Sequence, residues 1–286
     1  MRRLILLSFI MVMLIFEAFP QAYYNRKGGQ KWVLQAGTGT ASYFGDVVDD
    51  YVLTINGNFT AGALYKVHNR IYLDGDITWF RLAAEDVKST EGKALRGLSF
   101  FSNNYQLSTS VQVSLFEEPA RFYLRKFMNP YIFAGIALLY YNPKAEYEGQ
   151  TYALRPLQTE GVSYSAFTAA IPMGIGVKIK VNAFFNVVLE GRFNYTFTDY
   201  LDDVSSGIYP DPSSFTDPIA MFLSDRSRET GADPIFSLEP RDVRGNPNKK
   251  DNYLLALVKV QYYLSPFNDA YRAMKSRIKK NRRRRR

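Results

Sequence analysis

This sequence predicts an all-β fold: an eight-stranded antiparallel transmembrane β-barrel with short periplasmic turns and long extracellular loops. Three observations predict it. Apolar and polar residues alternate over segments of about a dozen residues, the period of a strand with one apolar and one polar side. Such segments are longer than the ~5–6 residues of a soluble strand and reach the ~9–11 that a membrane barrel needs. The connections between them run short, then long, as turns and loops of an outer-membrane barrel do.

The clearest pair of segments is Ala169–Phe197, two alternating runs joined by a connection that allows only a hairpin. Ile171, Met173, Ile175 and Val177 share one face of the first run, with Gly174, Gly176, Lys178 and Lys180 behind them. In the second, Val187, Leu189, Phe193 and Tyr195 stand against Asn186, Glu190, Arg192 and Asn194.

Taken from the start, the chain opens with Met1-Arg2-Arg3 and an apolar run, Leu4–Phe16. That is a secretory signal, since a spanning helix needs ~20 apolar residues. Residues 1–22 are read as signal peptide, 23–264 as barrel and 265–286 as a basic periplasmic tail, which puts both termini of the mature chain in the periplasm. The absence of cysteine excludes a disulfide-stapled secreted domain and a lipobox. The 21 Tyr and 21 Phe suit aromatic girdles. The formal charge of +9 belongs to the tail, whose ten cations exceed it and leave a nearly neutral body.

Strands are expected at Trp32–Tyr43, Thr54–Lys66, Arg70–Leu82 and Ser99–Leu115. They continue at Pro130–Tyr141, Ala169–Val181, Phe185–Phe197 and Asn252–Leu264. The fourth carries a face rich in Ser and Gln, suited to a wet or hydrogen-bonded interior. The fifth is apolar on both faces, and its sides are not assigned. Asn142–Tyr164 and Thr198–Asp251 read as long loops, and the mixed-charge connection Phe116–Asn129, longer than the other periplasmic turns, is the one blemish in the short–long pattern. Eight strands enclose a lumen that side chains fill. Asp74, Asp76, Lys178, Lys180, Glu190 and Arg192 are the residues expected to fill it, as ion pairs and hydrogen bonds, which disfavours a diffusion channel.

The only histidine, His68, falls in a turn on the periplasmic side, so no outer loop offers a His for a triad or an ordinary zinc site. No cofactor is expected. Asp199, Asp202 and Asp203 form the densest acidic run. It can be a loop knot that accepts backbone N–H groups and pairs with Arg226, Arg228, Arg241 or Arg244, or a site for a hard cation such as Ca²⁺.

Ser42–Asp46, Leu157–Gly161 with Glu160, and Thr196–Ser205 (TFTDYLDDVS) resemble a family of Bacteroidetes outer-membrane proteins, the PorG-like barrels of the type IX secretion and gliding machinery. Asp225-Arg226-Ser227 and Arg244-Gly245 continue the likeness, which spans about Tyr43–Leu264. The resemblance implies an eight-stranded barrel in the outer-membrane lipid bilayer. It also implies association with a periplasmic ring built by a PorK-like lipoprotein and its PorN-like partner, with no catalytic residues. The alternatives are an enzyme acting on lipid A or surface peptides, and a small passive channel.

The tail lies outside that likeness. Arg272, Lys275, Arg277, Lys279, Lys280, Arg282, Arg283, Arg284, Arg285 and Arg286 are expected to hold anionic lipid headgroups or an acidic partner, or to be a solvated end. A periplasmic location argues against nucleic acid.

Overall fold

The computed structural model describes residues 31–47, 55–86, 96–119, 124–205, 208–231 and 244–264. The signal peptide, the lead up to Gln30 and the whole tail, Arg272 to Arg286 included, lie outside them, as does Arg241.

Eight long strands form the barrel: β1 (Trp32–Phe44), β2 (Asn56–Lys66), β3 (Ile71–Glu85), β4 (Ser99–Ser114), β5 (Met128–Tyr140), β8 (Phe167–Lys180), β9 (Phe185–Thr196) and β10 (Asn252–Tyr263). Each is antiparallel to its neighbours, and the pairing of β1 with β10 closes the sheet. Two short strands, β6 (Pro143–Tyr147) and β7 (Gln150–Ala153), make a hairpin where the sequence reads as loop, and β6 extends the sheet beside the start of β4. The hairpin turns at Glu148-Gly149, both with positive φ, which suits a two-residue connection.

The predicted faces hold. Ile136 and Ile175 are each 68% exposed, and Leu73, Ile77, Leu107, Val111, Ile132, Leu189 and Val258 stand outward with them. Tyr72, Asp74, Asp76, Ser108, Ser110, Gln112, Glu190, Arg192 and Lys259 point inward and are buried. The same alternation settles β5: Tyr131, Phe133, Ala137 and Leu139 face the lumen. An exposed apolar belt of this extent is the surface of a barrel that spans a bilayer.

Aromatic pairs flank the belt. At the end with the tight turns, Trp32 packs on Tyr65 with ring centres 4.9 Å apart and Phe185 on Tyr262 at 5.0 Å. Across the belt, Tyr140 stands 6.3 Å from Tyr105 and 5.2 Å from Phe167. Amphipathic rings gather at this depth because one edge can sit in hydrocarbon and the other in water.

Beyond that second girdle the inner face changes character. Leu82, Ala84, Phe100, Leu139, Tyr253 and Leu255 turn apolar and pack with Leu154, Leu201, Val204 and Leu223 from the loops into one core. The strands therefore continue out of the belt and end as the walls of a small folded cap.

Candidate functional site

Three polar layers close the lumen, and the middle one joins opposite walls. Arg192 on β9 places Nη2 2.8 Å from Asp76 on β3 and 2.8 Å from Glu190 on its own strand. Lys259 of β10 lies 2.9 Å from Glu190 and 3.3 Å from Asp76. Gln35 donates both amide protons, to Asp74 at 2.9 Å and Asp76 at 2.6 Å, while Tyr131 donates to Glu190 at 2.6 Å. Gly62 makes room for this layer: a Cβ there would stand 2.1 Å from Asp76 Oδ1. Of the interior residues expected from sequence, Asp74, Asp76, Glu190 and Arg192 meet here.

Lys178 belongs to a second layer, at the turn end. The β4–β5 connection folds back beneath the barrel and sends Glu118 inside, where its carboxylate is 3.2 Å from Lys178 Nζ. Tyr263 donates to the same carboxylate at 3.0 Å, and Tyr72 does so as well. Burial pushes the Glu118 carboxyl up, but Lys178 and the two phenols outweigh it and hold it below the usual range. Arg125 of the same connection lies 3.8 Å over the Tyr263 ring and donates to Asn186 at 3.0 Å. The extra length of this connection is thus a plug.

Lys180 departs from expectation. Two residues beyond Lys178 at the end of β8, it is part-exposed at the rim and outside the central network. A residue at a strand end meets water before it meets the lumen's carboxylates, so an inward position there does not bury its charge.

The third layer is the cap, and it contains the acidic motif. Asp199, Asp202, Asp203, Glu160 and Asp46 are all buried. Tyr43, at the end of β1, places its hydroxyl 2.5 Å from Asp202 Oδ2 and 2.8 Å from Asp251 Oδ1, and accepts the Asp46 N–H at 3.1 Å. Asp203 sits in the left-handed region (φ 68°) and accepts from the hydroxyls of Thr159 and Tyr164. Tyr164 is itself stacked between Tyr141 and Tyr200. Burial pushes the carboxyls of Asp199 and Asp203 up to about 6, although Ser205 donates to Asp199 and Arg244 stands near Asp203.

Arginines bind the cap through other partners than the sequence led one to expect. Arg244, fully buried, pairs with Glu160 and donates to the Asp203 carbonyl at 3.0 Å and the Ser224 carbonyl at 3.2 Å. Arg96 chelates Asp86 (3.0 and 2.8 Å) and reaches the carbonyls of Asp46 and Arg244. Arg226 pairs with Glu229 at 2.7 Å and donates to Ser99 at 2.6 Å, and so does not neutralise the acidic run. Glu160 also accepts the Ser205 N–H at 3.0 Å, and Asp46 that of Asn246 at 2.7 Å. Every loop at this end is tied to another. Among the described residues no group of three or more potential ligands is arranged to hold a metal ion.

His68 lies exposed in the β2–β3 turn, at the opposite end from the cap. Sequence reading did not single out Gln35, Tyr43, Tyr72, Asp86, Arg96, Glu118, Arg125, Tyr131, Asp251 or Lys259 as site residues. Of these, Tyr72 and Lys259 carried a signal, as inward residues on alternating strands, and Tyr43 lies within the Ser42–Asp46 stretch of the resemblance.

Among solved structures, the chain is similar to Neisserial surface protein A (11% identity, TM-score 0.43, covering 83% of this chain and all of that one). It is also similar to the attachment invasion locus protein Ail of Yersinia pestis (8%, TM-score 0.40, 82% and 98%). The outer membrane protein OprG of Pseudomonas aeruginosa is a third (8%, TM-score 0.36, 83% and 99%). At these values the likenesses bear on neither activity nor partner. A search of curated proteins returned no relative by sequence. A family model described as a domain of unknown function, DUF6089, matches residues 7–217, most of the chain, and the protein belongs to that family.

Proposed function

We propose that this barrel is a non-enzymatic outer-membrane component of the type IX secretion and gliding machinery, and that it holds a periplasmic ring of the PorK and PorN kind at the membrane. The observation that carries the reading is closure. The lumen is filled by the Asp76–Arg192–Glu190–Lys259 cluster and shut by Glu118 at one end and the cap at the other. A barrel sealed in this way acts through its surfaces. The TFTDYLDDVS stretch, on which the resemblance rests most, is built into the interlocked cap through Asp202, Asp203 and Ser205.

In this reading the tight-turn end faces the periplasm, so that the β4–β5 connection and the basic tail after Leu264 lie on the ring side. The exposed Leu124, Lys126 and Phe127 of that connection, held by Arg125 beneath them, are the surface offered to the ring. Residues 1–22 are the export signal, and Arg272 to Arg286 engage anionic headgroups or an acidic face of the ring.

Pull-down of an epitope-tagged copy from crosslinked envelopes tests the reading. Recovery of the ring lipoprotein is expected, with loss of secretion on deletion of the gene. An envelope in which no ring component is recovered, or secretion unchanged on deletion, overturns it. Deletion of Lys275–Arg286 is expected to lower ring recovery or membrane retention. Conductance above background in planar bilayers would favour a passive channel, and hydrolysis of lipid A or a surface peptide by the purified barrel an enzyme.

A further inference from the structure

The contacts of Tyr43 do not balance if every carboxyl around it is ionised. A phenolic oxygen carries one proton and two acceptor sites. One acceptor site takes the Asp46 N–H. Two further contacts are to carboxyl oxygens, Asp202 Oδ2 at 2.5 Å and Asp251 Oδ1 at 2.8 Å, both within hydrogen-bond range. The hydroxyl can donate to one of them; the other contact needs a proton on the carboxyl.

The surroundings favour that extra proton. Asp202 and Asp251 are buried, and each spends its second oxygen on a backbone N–H, of Val204 at 2.9 Å and Leu201 at 2.9 Å. Among the described residues neither has an ion pair. The charged groups around them are the carboxylates of Asp46 and Asp199 from the loops after β1 and β9, with Glu160 and Asp203 beyond. The nearby cations are engaged elsewhere: Arg244 on Glu160, Arg96 on Asp86, Arg226 on Glu229. Lys250 acts on Asp199. Two buried carboxyls this close to one hydroxyl cannot both stay ionised cheaply, and sharing a proton is the usual escape.

We infer that the Asp202–Tyr43–Asp251 constellation holds, besides the phenolic proton, one carboxyl proton at neutral pH, and that this proton is the clasp joining the end of β1 to both ends of the long β9–β10 loop. Burial and the mutual repulsion of the carboxyls act in the same direction, raising both well above the ordinary range. The sign follows: the clasp is closed while the shared proton is present and opens as alkaline pH removes it. The β9–β10 loop then loses its hold on Tyr43, and the Leu201 and Val204 amides lose protection.

The test uses the full-length mature protein in lipid nanodiscs. Infrared difference spectra of wild type against Asp202→Asn and Asp251→Asn at neutral pH are expected to show a protonated-carboxyl band lost in at least one variant. Hydrogen-exchange protection at Leu201 and Val204, taken relative to the intrinsic chemical rate at each pH, is expected to fall by tenfold or more on going from neutral to alkaline pH, and to be flatter in the Asn variant that mimics the protonated acid. Tyr43→Phe, which keeps the ring in the core but removes the bridge, is expected to raise exchange at neutral pH. Absence of the band in all comparisons, or exchange that tracks only the intrinsic chemical rate in wild type, overturns the proposal. If one variant fails to fold, the wild-type exchange profile and Tyr43→Phe still decide it.

Discussion

Arg192 and Asp76 stand on diametrically opposite walls of the barrel, four strands apart either way round, and meet at 2.8 Å across the lumen. Each is about 2% exposed. An ion pair of this kind is a brace only while it is complete, because desolvation of each charge offsets most of the attraction. Arg192→Met leaves Asp76 and Glu190 facing Lys259 alone and is expected to cost about 3–5 kcal/mol in a reversible urea titration in vesicles. Adding Asp76→Leu to Arg192→Met is expected to recover part of that loss, since the second change removes the stranded carboxylate. A double variant as unstable as the sum of the singles would show that the two side chains are not coupled.

Glu118 sets the behaviour of the turn end. Its folded carboxyl lies below the unfolded value of ~4.3, so its contribution is fully present above that pH and is lost as pH falls through the folded value. Acid therefore loosens the plug. Glu118→Ala removes the acceptor of Lys178, Tyr72 and Tyr263 together, and charged hydrogen bonds are worth ~1.5–3 kcal/mol each. Trypsin cleavage after Arg125, which is buried in the intact plug, is expected to rise by about ten- to a hundredfold in this variant. Cleavage at the wild-type rate would mean that the connection is held by something other than Glu118.

The barrel was legible because the bilayer imposes a period-two code: Ile175 and Phe193 had to face lipid, which left Lys178, Glu190 and Arg192 no place but the lumen. The code fails where lipid ends. Leu82, Phe100 and Leu255 continue the inner face but are apolar, since the cap loops cover them, and no local pattern announces a loop that returns from a hundred residues away. The Glu160–Arg244 pair spans 84 positions and the Tyr43–Asp251 contact 208, separations at which spacing carries no signal. Glu118 was hidden differently. In a connection of mixed charge nothing marks the one acid that turns inward, and Lys178 looked like a partner for the lumen's acids instead.

Asp203 couples the cap to pH in the sense opposite to Glu118. Burial raises its carboxyl to about 6, above the unfolded value of ~3.9, so the stabilisation is fully present below that value and is lost as pH rises through about 6. Protection of the Ser205 amide, which donates to Glu160 in the same knot, is expected to fall between pH 4 and 7 on this account. Asp203→Asn keeps an oxygen acceptor and tolerates φ 68°, so it is expected to flatten the profile without unfolding the cap. Asp203→Val, β-branched at a left-handed position, is expected to cost about 1–3 kcal/mol at every pH. A profile unchanged in Asp203→Asn would assign the pH dependence to Asp199 instead.

Gly45 is the residue on which the Tyr43 contacts depend sterically. A Cβ built there lies 1.8 Å from the Tyr43 hydroxyl oxygen and 2.1 Å from Asp251 Oδ1, closer than any real contact. Neither neighbour can retreat far: Tyr43 packs at 5.0 Å against Phe100 in the cap core, and Asp251 accepts the Leu201 N–H. Gly45→Ala is therefore expected to part the phenol from both acids and to destabilise the cap by about 1–3 kcal/mol, the usual cost of overpacking. Hydrogen exchange should register this at Leu201 and Val204 but not at the Glu118 plug, on the other side of the belt. In a Tyr43→Phe background the atom closest to the new methyl is gone, so the penalty of Gly45→Ala is expected to shrink by at least ~0.5 kcal/mol, the coupling of residues in contact. An undiminished penalty would place the clash on Asp251 or on the Tyr43 ring, whose Cζ stands 2.3 Å from the built Cβ, rather than on the hydroxyl.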